Sequence, residues 1–265
     1  MSKVNNNRIF FEVIKTIVFI LFIFSITEVV GQNKSRKDML KNLFLDELYK
    51  NPDKAITTAN ELLKISNDGI DDKIKAYKLI SDGYSAKRDY QKALDYLMKS
   101  NDLLYLSKNK LLKISVSTRA GILYHQLKIY DKAIQSLDQA EQYILEYPKK
   151  DSTYSYLGRN YIVRGFIYKE KLNPDIAIEF FDKGIVELTK VYANSEKPGI
   201  SIAKYNKGNC YILLFEYDKA IDNFQESFDY ADSVNAKSLK AFALKGLAKV
   251  KYIQGNYNRS EERRV

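Results

Sequence analysis

Tryptophan is absent, and cysteine and histidine occur once each, as Cys210 and His125. A single cysteine allows no intramolecular disulfide and no thiolate metal site, and a single histidine excludes a histidine-rich metal centre. A Ser-His-Asp triad would have to use His125. Proline is limited to 4 and glycine to 11 of 265 residues, too few for long disordered or collagen-like stretches. Dense basic runs are also missing, although Lys+Arg (43) exceeds Asp+Glu (33) for a formal charge of +10. Concentrated on one face, that excess would suit nucleic acid or anionic lipid; scattered along the chain, it reads as a lysine-rich solvated surface. What is present is a 45 % hydrophobic chain with 21 Tyr and 13 Phe, long enough to bury a core without disulfide or metal staples.

Both ends differ from the rest. Lys3, Arg8 and Lys15 flank an almost unbroken apolar run over residues 16–27, shorter than the roughly 20 residues a bilayer span requires and suited to the apolar region of a signal peptide. Cleavage after Gly31 would place Val29 and Gly31 at the small-residue positions; the alternative is an uncleaved anchor. Residues 1–31 are therefore expected to be a signal peptide or N-terminal anchor. The repeats are then expected outside the cytoplasm, either free in the periplasm or anchored to the membrane. At the other end, Arg259-Ser260-Glu261-Glu262-Arg263-Arg264-Val265 holds three of the nine arginines. This string resembles the translation of a sequencing adapter. Residues 259–265 are expected to be a non-native tail, with the genuine frame cut near Asn258.

The interior repeats itself. An aromatic or proline, two residues that are polar except at Ile176, then alanine and an apolar residue recur, with the alanines at 55, 93, 133, 177 and 220. Twelve residues before the last four alanines stands a small residue (Ser81, Gly121, Gly165, Gly208), and nine before stands Tyr84, Tyr124, Tyr168 or Tyr211. Four residues after comes Leu97, Leu137, Phe181 or Phe224, and seven after comes Ser100, Ala140, Gly184 or Ser227. Apolar positions three and four apart mark helices, and Lys128-Ile129-Tyr130-Asp131 is a tight connection between two of them. Each unit is thus a pair of antiparallel helices in which small residues permit close approach. One pair cannot bury both of its apolar faces, so pairs must stack.

This pattern resembles the tetratricopeptide repeat over about residues 36–258. The fold class it implies is an all-α, right-handed superhelical solenoid of antiparallel helix pairs. Units fall around 36–66, 73–107, 110–147, 152–192, 199–232 and 236–258. The period is nearer 40 residues than the usual 34, with insertions at 147–152 and 193–199 where Pro148 and Pro198 break helices. The first unit is degenerate, Leu43 and Asp46 replacing the small residue and tyrosine. In the last, Ala248 holds the small slot and Gly255-Asn256-Tyr257 is expected to turn the chain.

No catalytic constellation, phosphate loop or cofactor motif is present. Asp218, Asp222 and Glu226 share one helix face, which would admit a hard cation or stand as a solvated stripe beside Lys219. Cys210 is expected to be a buried structural thiol. The resemblance implies that the first helix of each pair lines a concave groove. Carried over residue by residue, the groove positions are Lys75, Lys78 and Asp82; Thr118, Ile122 and His125; Arg159, Ile162, Phe166 and Lys169; Tyr205, Asn209 and Ile212; and Lys245, Lys249 and Tyr252. Ile122, Ile162 and Phe166 could equally pack between repeats. The Lys/Asn/Lys/Arg set with which some co-chaperones of the family clamp a peptide terminus is not reproduced, since Asp82 and Ile122 stand in its slots.

The function expected is a non-catalytic protein-protein interaction module, with a protein or peptide partner in the groove and no nucleic acid. It would be the sensory or docking part of an exported signalling protein, or alternatively a self-contained periplasmic scaffold. Membrane attachment would run through the N-terminal segment or a C-terminal span beyond residue 258.

Overall fold

The computed structural model describes residues 35–66, 69–148, 150–191 and 194–262, with side chains described through 255. The described residues are all-α, an alternation of helices joined by short turns. They run α1 (35–47), α2 (Pro52–Lys64), α3 (Ile70–Ala86), α4 (Tyr90–Asn101), α5 (Lys110–Gln126), α6 (Tyr130–Leu145), α7 (Asp151–Glu170), α8 (Pro174–Thr189), α9 (Lys197–Leu213), α10 (Tyr217–Ser233) and α11 (Lys237–Glu262). Single 3₁₀ turns at Leu104–Leu106 and Asn194–Glu196 precede α5 and α9. The result is a solenoid of paired antiparallel helices, an A helix and a B helix per unit. Two compact units divide it, Met1–Tyr96 and Leu97–Val265.

Local chemistry explains the helix starts. Where proline takes the aromatic slot, it occupies the first turn of α2 and α8, where its missing N–H costs nothing. Asn51 caps α2 by accepting from the Lys54 N–H, and Asp53 and Asp175 place negative charge in the first turns. Pro148 lies between α6 and α7 as expected, whereas Pro198 sits inside the first turn of α9 and starts that helix.

The helix ends are less usual. Arg88, Lys128, Leu172 and Phe215 close the A helices α3, α5, α7 and α9 at φ between 58° and 62°, a left-handed conformation held without glycine. Each is the turning residue of a Schellman closure. At Leu172, its N–H reaches the Lys169 carbonyl and the Asn173 N–H reaches the Tyr168 carbonyl. Tyr84, Tyr124 and Tyr211 supply the equivalent carbonyl in the other three turns. The recurrent tyrosine therefore terminates its helix through its backbone. Its ring also receives a cation eight residues on: Lys92 over Tyr84 (5.7 Å), Lys132 over Tyr124 (5.7 Å) and Lys219 over Tyr211 (5.5 Å). A left-handed non-glycine residue costs about 1–2 kcal/mol, and Leu172 is 76 % exposed with no packing to lose. Leu172→Gly is accordingly expected to raise stability by roughly 0.5–1 kcal/mol after the unfolded-state entropy of glycine is subtracted, read as a higher urea midpoint at unchanged slope. A lower midpoint would contradict the closure.

In the unit Met1–Tyr96, Phe44, Ala55, Ile56, Ala59 and Ile80 form a core between α1, α2 and α3. A Cβ on Gly83 would stand 2.5 Å from the Ile56 side chain, so the two helices touch there. In Leu97–Val265, the pairs α5–α6, α7–α8 and α9–α10 repeat one contact. A Cβ on Gly121 would meet Leu137 at 2.5 Å, one on Gly165 would meet the Phe181 ring at 2.6 Å, and one on Gly208 would meet the Phe224 ring at 2.7 Å. The small residue seats the large one sixteen positions later each time. Successive pairs are joined by ion pairs at a second recurring position. Arg164 on α7 reaches Asp138 (2.6 Å) and Glu141 (3.3 Å) on α6, and Lys207 on α9 reaches Asp182 on α8. The same positions one unit earlier hold Ala120 and Met98, and there a cleft of about 510 Å³ opens among α4, α5 and α6, rimmed by Gln135, Gln139 and Gln142.

Two expectations are corrected. The turn at Gly255-Asn256-Tyr257 does not form, because α11 continues as helix to Glu262. In the other units, a large apolar residue sixteen positions past the small one rewards the turn; sixteen past Ala248 is Arg264, which offers no such ring. The membrane-anchored placement is also overturned: among the described residues, no helix is long and apolar enough to cross a membrane. The apolar run at 16–27 and the cleavage site after Gly31 lie outside the described residues, as do the side chains of 259–265.

Candidate functional site

The A helices α5, α7, α9 and α11 neighbour one another in Leu97–Val265, so their groove positions gather on one face. Its centre is an aromatic and charged cluster. The His125 ring stacks on Phe166 (5.7 Å between centroids), and its Nε2 lies 3.3 Å from the Glu170 carboxylate. The Tyr130 hydroxyl donates to the other Glu170 oxygen at 2.8 Å. Lys169 lies over the Phe166 face (5.8 Å) and donates to the Asn206 side-chain oxygen at 2.5 Å. The Asn206 amide in turn donates to the Ile202 carbonyl, and the Asn209 amide to the Tyr205 carbonyl. Two predicted residues, Phe166 and Lys169, are thereby held by side chains of neighbouring A helices.

Burial sets the charge states here. It pushes the Lys169 ammonium below its ordinary value and the Cys210 thiol up to about 11, so the buried cysteine stays neutral at physiological pH. Burial also pushes His125 below 6.5, against the attraction of Glu170. Between 6.5 and that lower folded value, the unfolded chain takes up a proton that the folded chain does not. Stability is therefore expected to fall as pH drops through this window, and His125→Gln should flatten that part of the profile in pH-dependent urea melts. A steeper acid loss in the variant would contradict the assignment.

The other predicted positions divide. Lys245, Lys249 and Tyr252 on α11 are exposed, Tyr252 at 70 %. Arg159 reaches the buried Glu196 carboxylate at 3.1 Å, beside a hydrogen bond from Ser155. Tyr205 packs on Phe224 (5.5 Å) and Phe242 (5.9 Å). In Met1–Tyr96, Lys78 is paired with Asp82 along α3 at 3.1 Å, and Lys75 is exposed near Asp72 (3.8 Å). Thr118 is 3 % exposed, and Ile162 and Ile212 are buried as well. Ile122 packs against the core of Leu137, Val163 and Ile167. Thr118, Ile162 and Ile212 lie where neighbouring helices close on each other, and Ile122 is half-buried against the same packing. The acidic stripe on α10 is solvated, with Asp218 and Asp222 exposed and Glu226 paired to Lys204. No group of three His, Cys, Asp or Glu side chains able to hold a metal is found among the described residues.

Sequence reasoning missed Glu170, Asn206, Glu196, Ile202 and Phe242. The last two were within reach: the register slot that gives Lys75 and Arg159 gives Ile202 and Phe242 in the final two units.

Comparisons with known proteins agree with this geometry. The family model of the tetratricopeptide repeat matches residues 202–233, the α9–α10 pair. No curated protein matches the sequence. The fold is similar to that of BtubC (BKLC) from P. vanneervenii, with a TM-score of 0.61 at 13 % identity, covering 75 % of this chain and 80 % of that one. It is similar to a signal transduction ATPase with numerous domains and a tetratricopeptide repeat sensor from Pyrococcus horikoshii (TM-score 0.61, 16 % identity, 85 % of this chain). This chain spans 33 % of that ATPase. It is also similar to NprR in complex with its cognate peptide NprX (TM-score 0.57, 16 % identity, covering 87 % of this chain and 67 % of that one). At these identities the likeness is one of fold.

Proposed function

We propose that this solenoid of tetratricopeptide-like helix pairs is a non-catalytic docking module whose A-helix face takes an extended peptide or a partner helix, as the sensory or docking part of a signalling protein. The observation that carries the reading is the cluster of His125, Phe166 and Lys169 on α5 and α7, with Lys245, Lys249 and Tyr252 exposed on α11, which follows α9 in the same series of A helices. Rigid aromatic and long cationic side chains are what recognition faces use as anchors and rim. The one histidine is engaged by Glu170 and Phe166. Two similar folds are named as a peptide complex and as a sensor, which supports a peptide or protein ligand by analogy.

A peptide-array screen of the full chain tests it, with two variants carried in parallel. Lys249→Glu with Tyr252→Ala alters exposed A-helix positions, while Lys132→Glu with Lys183→Glu alters exposed B-helix positions. The first pair is expected to weaken the selected peptides at least about tenfold, and the second to leave them unchanged. The opposite pattern would move recognition to the B-helix face and defeat the proposal.

A further inference from the structure

Between α9 and α11 the A-helix face opens into a cavity of about 240 Å³. Its walls are Ile202, Tyr205, Leu239 and Phe242, with Phe242 left 51 % exposed at the rim. The serine and asparagine side chains that line it already have partners within the chain. Ser201 and Ser227 each donate to the other's backbone carbonyl at 2.8 Å. Asn206 spends its amide on the Ile202 carbonyl and its oxygen on Lys169. An entering polar group would lose its water and find no partner, which burial penalises; an apolar group loses nothing. The volume is below the roughly 300–1,000 Å³ of small-molecule sites, so the cavity fits one side chain better than a whole metabolite.

Charge defines the rest of the occupant. Lys245 and Lys249 follow Phe242 three and seven positions along α11, on the same helix face. Both are exposed, and neither has a carboxylate in ion-pair reach among the described residues, unlike Lys204, Lys207 and Lys240 nearby. At about 1.5 Å of rise per residue, they stand roughly 5 and 10 Å along the axis from Phe242. An extended peptide covers that distance in about two or three residues.

We infer that this end of the face recognises an acidic peptide segment, with one large apolar side chain seated between α9 and α11 and a carboxylate two or three residues away meeting Lys245 and Lys249. The inference rests on the A-helix-face reading and names the ligand chemistry for it.

Positional scanning of a synthetic peptide library against the full chain tests both at once. The expected selection is Leu, Ile, Met or Phe at one position and Asp or Glu two or three positions away. Phe242→Ala should weaken the selected peptides at least about tenfold. Lys245→Glu with Lys249→Glu should weaken the Asp peptide to a similar degree yet barely move its Asn analogue. Peptides that bind without this pattern, survive Phe242→Ala and are lost in His125→Ala would overturn the inference while leaving the docking function standing. No peptide binding to the native chain would overturn both. Circular dichroism melts of the variants separate loss of recognition from loss of fold, and the exposed lysine pair keeps the test alive if Phe242→Ala loosens α11.

Discussion

Gly165→Leu is expected to cost about 3 kcal/mol, the upper end of what overpacking does. A Cβ at this position would lie 2.6 Å from two ring atoms of Phe181 and 2.9 Å from a third. The ring has nowhere to go, being fully buried among Ala177, Ile185, Leu188 and Ala203 and met edge-on by Phe166 at 5.5 Å. Even Gly165→Ala should destabilise, although glycine to alanine inside a helix normally gains about 1 kcal/mol. Gly255→Ala provides the contrast, since nothing lies within 4 Å of a Cβ there and only the propensity gain remains. Urea titrations of the three variants read the signs directly. If Gly165→Ala were as stable as the native chain, the seat of Phe181 would be misassigned, and with it the register of the α7–α8 pair.

That register was legible because it is written in residue size. Gly121, Gly165 and Gly208 stand at a fixed distance before Leu137, Phe181 and Phe224, and close helix approach is the only economical reason for the pairing. The turns were legible in place but not in conformation. Arg88, Lys128, Leu172 and Phe215 adopt the left-handed region, where sequence rules look for glycine; closure hydrogen bonds, not side-chain identity, hold them there. The exposure of the positions proposed for recognition was not legible in the sequence. A periodic pattern states which way a residue points along its own helix. It does not state how close the next A helix comes, and that distance buried Thr118, Ile162 and Ile212 while leaving Phe242 half open. Ion pairs such as Arg164 with Asp138, which also draw in Tyr161 through Glu141, depend on two helices at once and leave no trace in either one alone.

Phe224→Ala is expected to cost about 3–5 kcal/mol, as large truncations of buried aromatics do, and its effect should be uneven along the chain. The ring is fully buried and lies against two helices: a Cβ on Gly208 of α9 would approach it to 2.7 Å, and one on Gly246 of α11 to 2.5 Å. Tyr205 packs on it from the A-helix face at 5.5 Å. Ile212, Ala220 and Val250 complete the cluster. Removing the ring takes away the surface that α11 shares with α9 and α10, whereas the α5–α6 and α7–α8 pairs keep their own seats at Leu137 and Phe181. Local stability in a stacked array is set by such neighbour contacts. Amide exchange should therefore accelerate most in α11, next in α9 and α10, and least in α5–α8. Because Tyr205 and Phe242 wall the cavity between α9 and α11, the same variant should weaken the apolar-acidic peptides without altering any residue that touches them. Uniform acceleration across all helices would mean the array unfolds as one block, and Phe224 would then be an ordinary core residue with no special hold on α11.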